Sequence, residues 1–190
     1  QRPFATSPGV HWARTAREGI GARLSRLTRL PRADWGKATA HLGLGVTLFA
    51  VAAMHSWKVE DIRVVQEGDS FPLGAYEVRL DKVEEVQGPN YTSLMGTMTV
   101  TKGGALVAVL NPEKRNYPVA GMPTTEAAID FGFTRDLYLV LGDKQKNGGW
   151  AVRSYIEPFA NWLWGGALLM AFGGVLSLTD RRYRVAAGAR

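Results

Sequence analysis

The chain of 190 residues carries three histidines, His11, His41 and His55, and no cysteine. The missing thiols exclude a thiolate nucleophile, a disulfide framework and a cysteine-type zinc site. His41 and His55 both fall inside a stretch without any charged residue, 38–57. An ionisable group in so apolar a run is costly to place, which makes it the first place to look for function. His41 stands one helical turn from Lys37 among small residues: Ala38, Thr39, Ala40, Gly43 and Gly45. Small residues let a neighbouring helix or a flat cofactor come close to a backbone, and neutral imidazole is an axial ligand of haem iron. Two readings stand at this point, a haem ligand at His41 or a histidine hydrogen-bonded to another helix. His55, next to Ser56 and Trp57 at the end of the run, reads as a structural or partner residue, and His11 as a surface residue. His41 and His55 are fourteen residues apart, about 21 Å along a helix. They cannot ligate one iron, so if two histidines hold a haem at His41, the second has to come from outside this chain or from sequence missing here.

Other chemistry is absent from the pattern. No histidine follows residue 57, and there is no Ser-His-Asp set, HExxH or phosphate loop. No catalytic residue is assigned. Glu84-Glu85, Asp61 and Asp69 read as a solvated surface, and Pro112-Glu113-Lys114-Arg115 as a small charged turn able to meet a partner.

Two apolar runs have to position His41. Residues 38–57 and 159–179 contain no Asp, Glu, Lys or Arg, and about 20 residues of helix span the roughly 30 Å hydrocarbon core of a bilayer. The net charge of +6 is distributed unevenly. Residues 1–37 hold eight basic and two acidic side chains, residues 180–190 four and one, and residues 58–158 eleven and fourteen. Excess positive charge next to apolar runs marks the cytoplasmic side. Both ends are therefore expected in the cytoplasm and 58–158 on the translocated side. Trp57, Trp162 and Trp164 mark the opposite boundary, as tryptophan does at headgroup level. The bilayer accounts for the basic charge, and no nucleic acid is needed. Residues 14–30 are basic and amphipathic, Leu24, Leu27 and Leu30 each following an arginine. This suits a helix on the cytoplasmic leaflet or a solvated tail. The first thirty residues show no apolar core of a signal peptide and begin at Gln1, so a piece of a longer or processed polypeptide is expected.

The middle block has the two-residue period of strands. Residues 62–65, 76–83, 91–102, 105–110, 137–141 and 150–156 read as strands, with Gly103-Gly104 and Asn147-Gly148-Gly149 as turns. Thr124-Thr125-Glu126-Ala127 reads as the cap of a helical turn. The expected fold is a mixed membrane protein: two transmembrane α-helices flanking a small antiparallel β domain, an OB-like barrel or a sandwich. Its parts are a basic segment 1–37, a helix 38–57, the β domain 58–158, a helix 159–179 and a basic tail 180–190.

Several of these residues also occur together in a known order. Ala40-His41-Leu42-Gly43, Pro112-Glu113-Lys114-Arg115, Thr124-Thr125-Glu126-Ala127-Ala128-Ile129, Asp136-Leu137-Tyr138, Gly142-Asp143, Trp162 and Trp164-Gly165-Gly166, Gly173-Gly174 and Asp180-Arg181-Arg182 resemble the carboxy-terminal part of the CcmF family of bacterial cytochrome c maturation. The resemblance runs over roughly residues 34–184. It implies a multi-pass inner-membrane protein, with 58–158 in the periplasm, working with CcmH and, in some organisms, CcmI. It also implies transfer of haem from the chaperone CcmE to apocytochrome c, where thioether bonds form, and a bound haem b used in electron transfer. His41 matches the later of the two membrane histidines that ligate that haem. The family's tryptophan-rich haem-binding segment and its flanking histidines are not in this sequence, so the chain by itself is not a complete haem lyase. The rival expectation is a cofactor-free, membrane-anchored periplasmic scaffold or sensor.

Overall fold

Pro31 opens the first helix. Its carbonyl accepts from the amides of Asp34 and Trp35 at 3.0 and 3.2 Å, and Asp34 places negative charge in the first turn, where free N–H groups point outward. In the computed structural model, which describes residues 31–119 and 121–180, helix α1 runs Arg32–Trp57 and helix α2 Ala160–Leu178. α1 thus starts at Arg32 rather than Ala38, because nothing in 32–37 breaks a helix and Asp34 favours one. Both helices are long and apolar enough to cross a membrane. The amphipathic segment 14–30, His11 and the tail 181–190 lie outside the described residues.

Among the described residues, ten strands lie between the helices: β1 Val59–Val65, β2 Ser70–Leu73, β3 Tyr76–Gln87, β4 Thr92–Lys102, β5 Ala105–Leu110, β6 Glu113–Tyr117, β7 Met122–Glu126, β8 Ala128–Asp130, β9 Arg135–Lys144 and β10 Trp150–Pro158. They form two sheets, β1-β10-β9-β8 and β2-β3-β4-β6-β7 with β5 also on β4, and every pairing is antiparallel. Alternate residues turn inward: Val78 and Leu80 on β3, Met98 and Val100 on β4, Leu137, Leu139 and Leu141 on β9, Trp150 and Val152 on β10. One core is shared by both sheets, so of barrel and sandwich the chain forms a sandwich. A side chain at Gly96 of β4 would touch Leu141 of β9 at 3.4 Å, a measure of how closely the sheets meet. Gly103 and Gly104 both have positive φ (57° and 80°), as the two-residue turn joining β4 to β5 requires.

Three expectations change. Ten strands replace six. Thr124-Thr125-Glu126 is no helical cap but part of β7, in register with β6; branched threonines suit a pleated strand, and a partner strand satisfies the amides that a cap would have served. Glu113-Lys114-Arg115 is no turn but most of β6, paired with β4 on one side and β7 on the other.

The described residues divide into two compact units, one holding residues 31–41 and 170–180, the other Leu42–Leu169. In the first, a side chain at Gly36 would lie 2.6 Å from the carbonyl oxygen of Gly173, so the two helices touch backbone to backbone. The Ala33 amide, one of the free donors of the first turn, is capped by Asp180 Oδ2 at 2.9 Å. In the second unit, Gly166 of α2 meets Gly43 of α1 in the same way, at 2.6 Å from its carbonyl oxygen. That unit also contains the sandwich.

Candidate functional site

His41 sits on an exposed face of α1. Its Nδ1 lies 2.8 Å from the Lys37 carbonyl oxygen. A carbonyl can only accept, so this nitrogen carries the hydrogen. In the neutral ring Nε2 then has its lone pair free, the arrangement by which a metal-ligating histidine is commonly held. Lys37 is drawn toward Asp34 at 3.5 Å. The ring is thus oriented by its own helix, one turn back, and its free Nε2 is the kind of donor that would suit haem iron. The small residues near it divide by role. Ala40 faces the backbone of Gly173, and Gly43 is buried against α2, whereas a side chain at Gly45 would meet nothing within 4 Å. The glycine at 43 therefore serves helix packing. His55 is exposed on the last turn of α1. Among the described residues no group of three or more His, Cys, Asp or Glu converges.

The motif pieces scattered through the middle block come together on the sandwich. On β6, Glu113 and Arg115 form an ion pair at 2.9 Å, and Arg115 also reaches Glu126 of β7 at 3.9 Å. The Arg115 guanidinium stacks 4.6 Å over the ring of Tyr91, which packs on Tyr117 at 5.4 Å. The hydrogen bond from Arg115 holds the Glu113 carboxyl below its usual range and raises the guanidinium in return. Lys114, on the opposite face of the strand, pairs with Asp143 at the end of β9. Each charge has an opposite charge beside it. The cluster ties β6 to β7 and one sheet to the other, and offers no acid–base pair for proton transfer.

A third arrangement lies where the sandwich meets α2, and sequence reasoning missed it. Residues 131–134, Phe-Gly-Phe-Thr, link β8 to β9. The Thr134 carbonyl accepts from the Phe159 amide at 3.0 Å and the Phe133 carbonyl from Trp162 Nε1 at 2.8 Å. Asn161 Nδ2 donates to the Gly132 carbonyl at 3.1 Å and to Asp136 Oδ1 at 2.9 Å, while the same oxygen accepts from the Gly132 amide at 3.0 Å. Asp136 is only 6% exposed. Phe159 adopts φ of 56°, unusual for a residue with a side chain, and its ring is held by Phe49 at 5.2 Å and Trp162 at 5.1 Å. The signal in the sequence was two phenylalanines flanking a glycine in a connection, where polar residues are the rule.

Comparison with known proteins places these features in a family context. The family described as the CcmF C-terminal beta-sandwich matches residues 56–158. A cytochrome c-type biogenesis protein, ccl1, of Rhodobacter capsulatus is 62% identical over 170 residues, 90% of this chain and 26% of the relative. The cytochrome c-type biogenesis protein CcmF of Escherichia coli is 47% identical over 163 residues, 85% of this chain and 25% of the relative. A solved structure described as the cytochrome c heme lyase CcmF shares the fold with a TM-score of 0.59 at 17% identity, over 87% of this chain and 26% of that one. The chain therefore spans about a quarter of the length of the relatives it matches.

Proposed function

The chain belongs to the CcmF family, and on that premise we propose that it is the carboxy-terminal part of a haem lyase of cytochrome c maturation, one that binds haem b through His41. The observation that carries the proposal is the ring of His41, exposed on an apolar helix with Nδ1 bonded to the Lys37 carbonyl and Nε2 free to coordinate. His41 would hold the haem iron through Nε2, and a second ligand would come from another part of the longer protein. The Lys37 carbonyl sets the ring's tautomer and direction and would raise the basicity of Nε2 toward a metal. Haem bound there would supply one-electron chemistry to the haem being attached. In this reading α1 and α2 cross the bacterial inner membrane with both ends of the chain cytoplasmic. The sandwich stands in the periplasm and offers surface to CcmH or CcmI, to haem-loaded CcmE and to apocytochrome c. The distribution of basic residues supports that orientation. The tryptophan-rich segment that would hold the haem in transit is not among these 190 residues, which in this reading form one component of the lyase.

The test is an absorption spectrum of the intact, detergent-purified protein that contains this segment, oxidised and dithionite-reduced, beside His41→Ala. Loss or a shift of the reduced b-type bands in the variant is expected. Identical haem spectra would remove His41 from the site. Absence of haem in both proteins, with haem supply shown to be adequate, would leave the cofactor-free scaffold as the better reading.

A further inference from the structure

We infer that the Phe-Gly-Phe-Thr connection 131–134 is a membrane-interface anchor, with its two phenylalanine rings seated among lipid headgroups and the first acyl carbons. The inference rests on the reading that α2 crosses the bilayer. Phe131 is 69% and Phe133 78% exposed to solvent, an unfavourable state for the tip of a connection unless something apolar covers it. What covers it follows from the depth of α2. That helix has 19 residues, about 28 Å at 1.5 Å per residue, against a hydrocarbon core of roughly 30 Å. There is no length to spare, so the first turn of α2 has to lie at the headgroup boundary. The connection is bound to that turn by the Phe159, Asn161 and Trp162 hydrogen bonds, and the Phe133 ring packs 5.3 Å from the Trp162 ring. Phe133 must therefore share the depth of Trp162, a residue type that settles at that level. Phe131 lines a neighbouring groove of about 410 Å³ that also contains Lys58 and Tyr155. Lys58 sits 4.4 Å over the Tyr155 ring and pairs with Glu157 at 3.1 Å, so the groove carries a long amphipathic side chain and an amphipathic ring of the kind found at the interface. Covering the tip with lipid supplies what its sequence lacks in water, and it gives the sandwich a second point of attachment beside the helices.

The experiment measures the depth of nitroxide labels in the intact protein reconstituted in nanodiscs, in a background whose cysteines outside this segment have been replaced. Labels are placed by Phe131→Cys and Phe133→Cys, with Leu168→Cys on α2 and Lys146→Cys as references. Lys146 lies in the turn beyond the far end of β10, and that strand's nine residues put about 30 Å between it and the first turn of α2. The expected result is a ratio of oxygen to water-soluble nickel collisions at 131 and 133 several-fold above that at 146 and below that at 168. A ratio equal to that at 146 would place the tip in water, and shielding from both reagents would place it under protein. Either result overturns the inference. A low ratio at 168 would instead show that α2 is not in the bilayer, and the anchor would fail together with that reading. The two labels are read independently, so misfolding of one variant leaves the other decisive.

Discussion

A single carboxylate organises the junction between sandwich and helix. Asp136 Oδ1 accepts both the Gly132 amide and Asn161 Nδ2. Removing it leaves two donors short of a partner at a nearly buried site, a loss of about 1–3 kcal/mol. Asp136→Ala is expected to speed hydrogen exchange at 131–134 and in the first turn of α2, while the core strands β3 and β9 keep their protection. Uniformly faster exchange throughout the sandwich would show that the residue serves global stability instead. His41 belongs to the same scale. Its type and its place in an apolar run singled it out from sequence, but the bond to Lys37 that determines which nitrogen is free needs only an intact helix with the ring turned back along it.

Among the elements, glycines do the work of joining helices. A Cβ on Gly166 would lie 2.6 Å from the Gly43 carbonyl oxygen, and backbone cannot step aside as a flexible side chain can, whereas a Cβ on the adjacent Gly165 would meet nothing within 4 Å. Gly165→Ala is expected to leave stability unchanged or raise it by up to about 1 kcal/mol, through helix propensity. Gly166→Ala is expected to lower it by about 1–3 kcal/mol through overpacking. Thermal unfolding of the two variants of the intact protein, side by side in detergent, checks the contrast, and equal effects would mean that the helices do not pack there. The strands teach a related lesson. Thr124 and Thr125 carry an oxygen that can cap a helix and a branched Cβ that suits a strand, and the pairing partner of β7, Glu113–Tyr117, decides between them.

On the scale of the whole molecule, two sheets share one core, and ion pairs fasten their outer faces. Arg115 lowers the Glu113 carboxyl from its usual 4.5, and the hydrogen bond from Arg63 lowers Asp61 from 3.8. A carboxyl lowered in the folded state contributes stability that is fully present above its unfolded value. That contribution is lost as pH falls through the folded value. The sandwich is therefore expected to keep its unfolding temperature from neutral pH to about 4.5 and to lose it progressively below. Arg115→Met is expected to lower the unfolding temperature at neutral pH and to make the acid limb shallower. A parallel curve, displaced by the same amount at every pH, would show that Arg115 acts through its stacking on Tyr91 alone.

By itself the sequence determined what depends on neighbours along the chain. The charge-free runs announced two long apolar helices. The alternation in β3 and the apolar run within β9 marked strands, and Gly103-Gly104 marked a tight turn, because period, apolarity and backbone freedom are local properties. Only the tertiary structure decided the contacts between distant residues. It put Lys114 beside Asp143, 29 residues on, made one cluster of Glu113, Arg115 and Glu126, and assigned Gly43 to a helix contact while leaving Gly45 open. It also bound a connection with exposed phenylalanines to the first turn of a membrane-length helix through Asp136 and Asn161. The physical reason is register. Which strand lies beside which, and which helical face meets another, depends on burying all the apolar faces at once, and no short stretch of sequence carries that information.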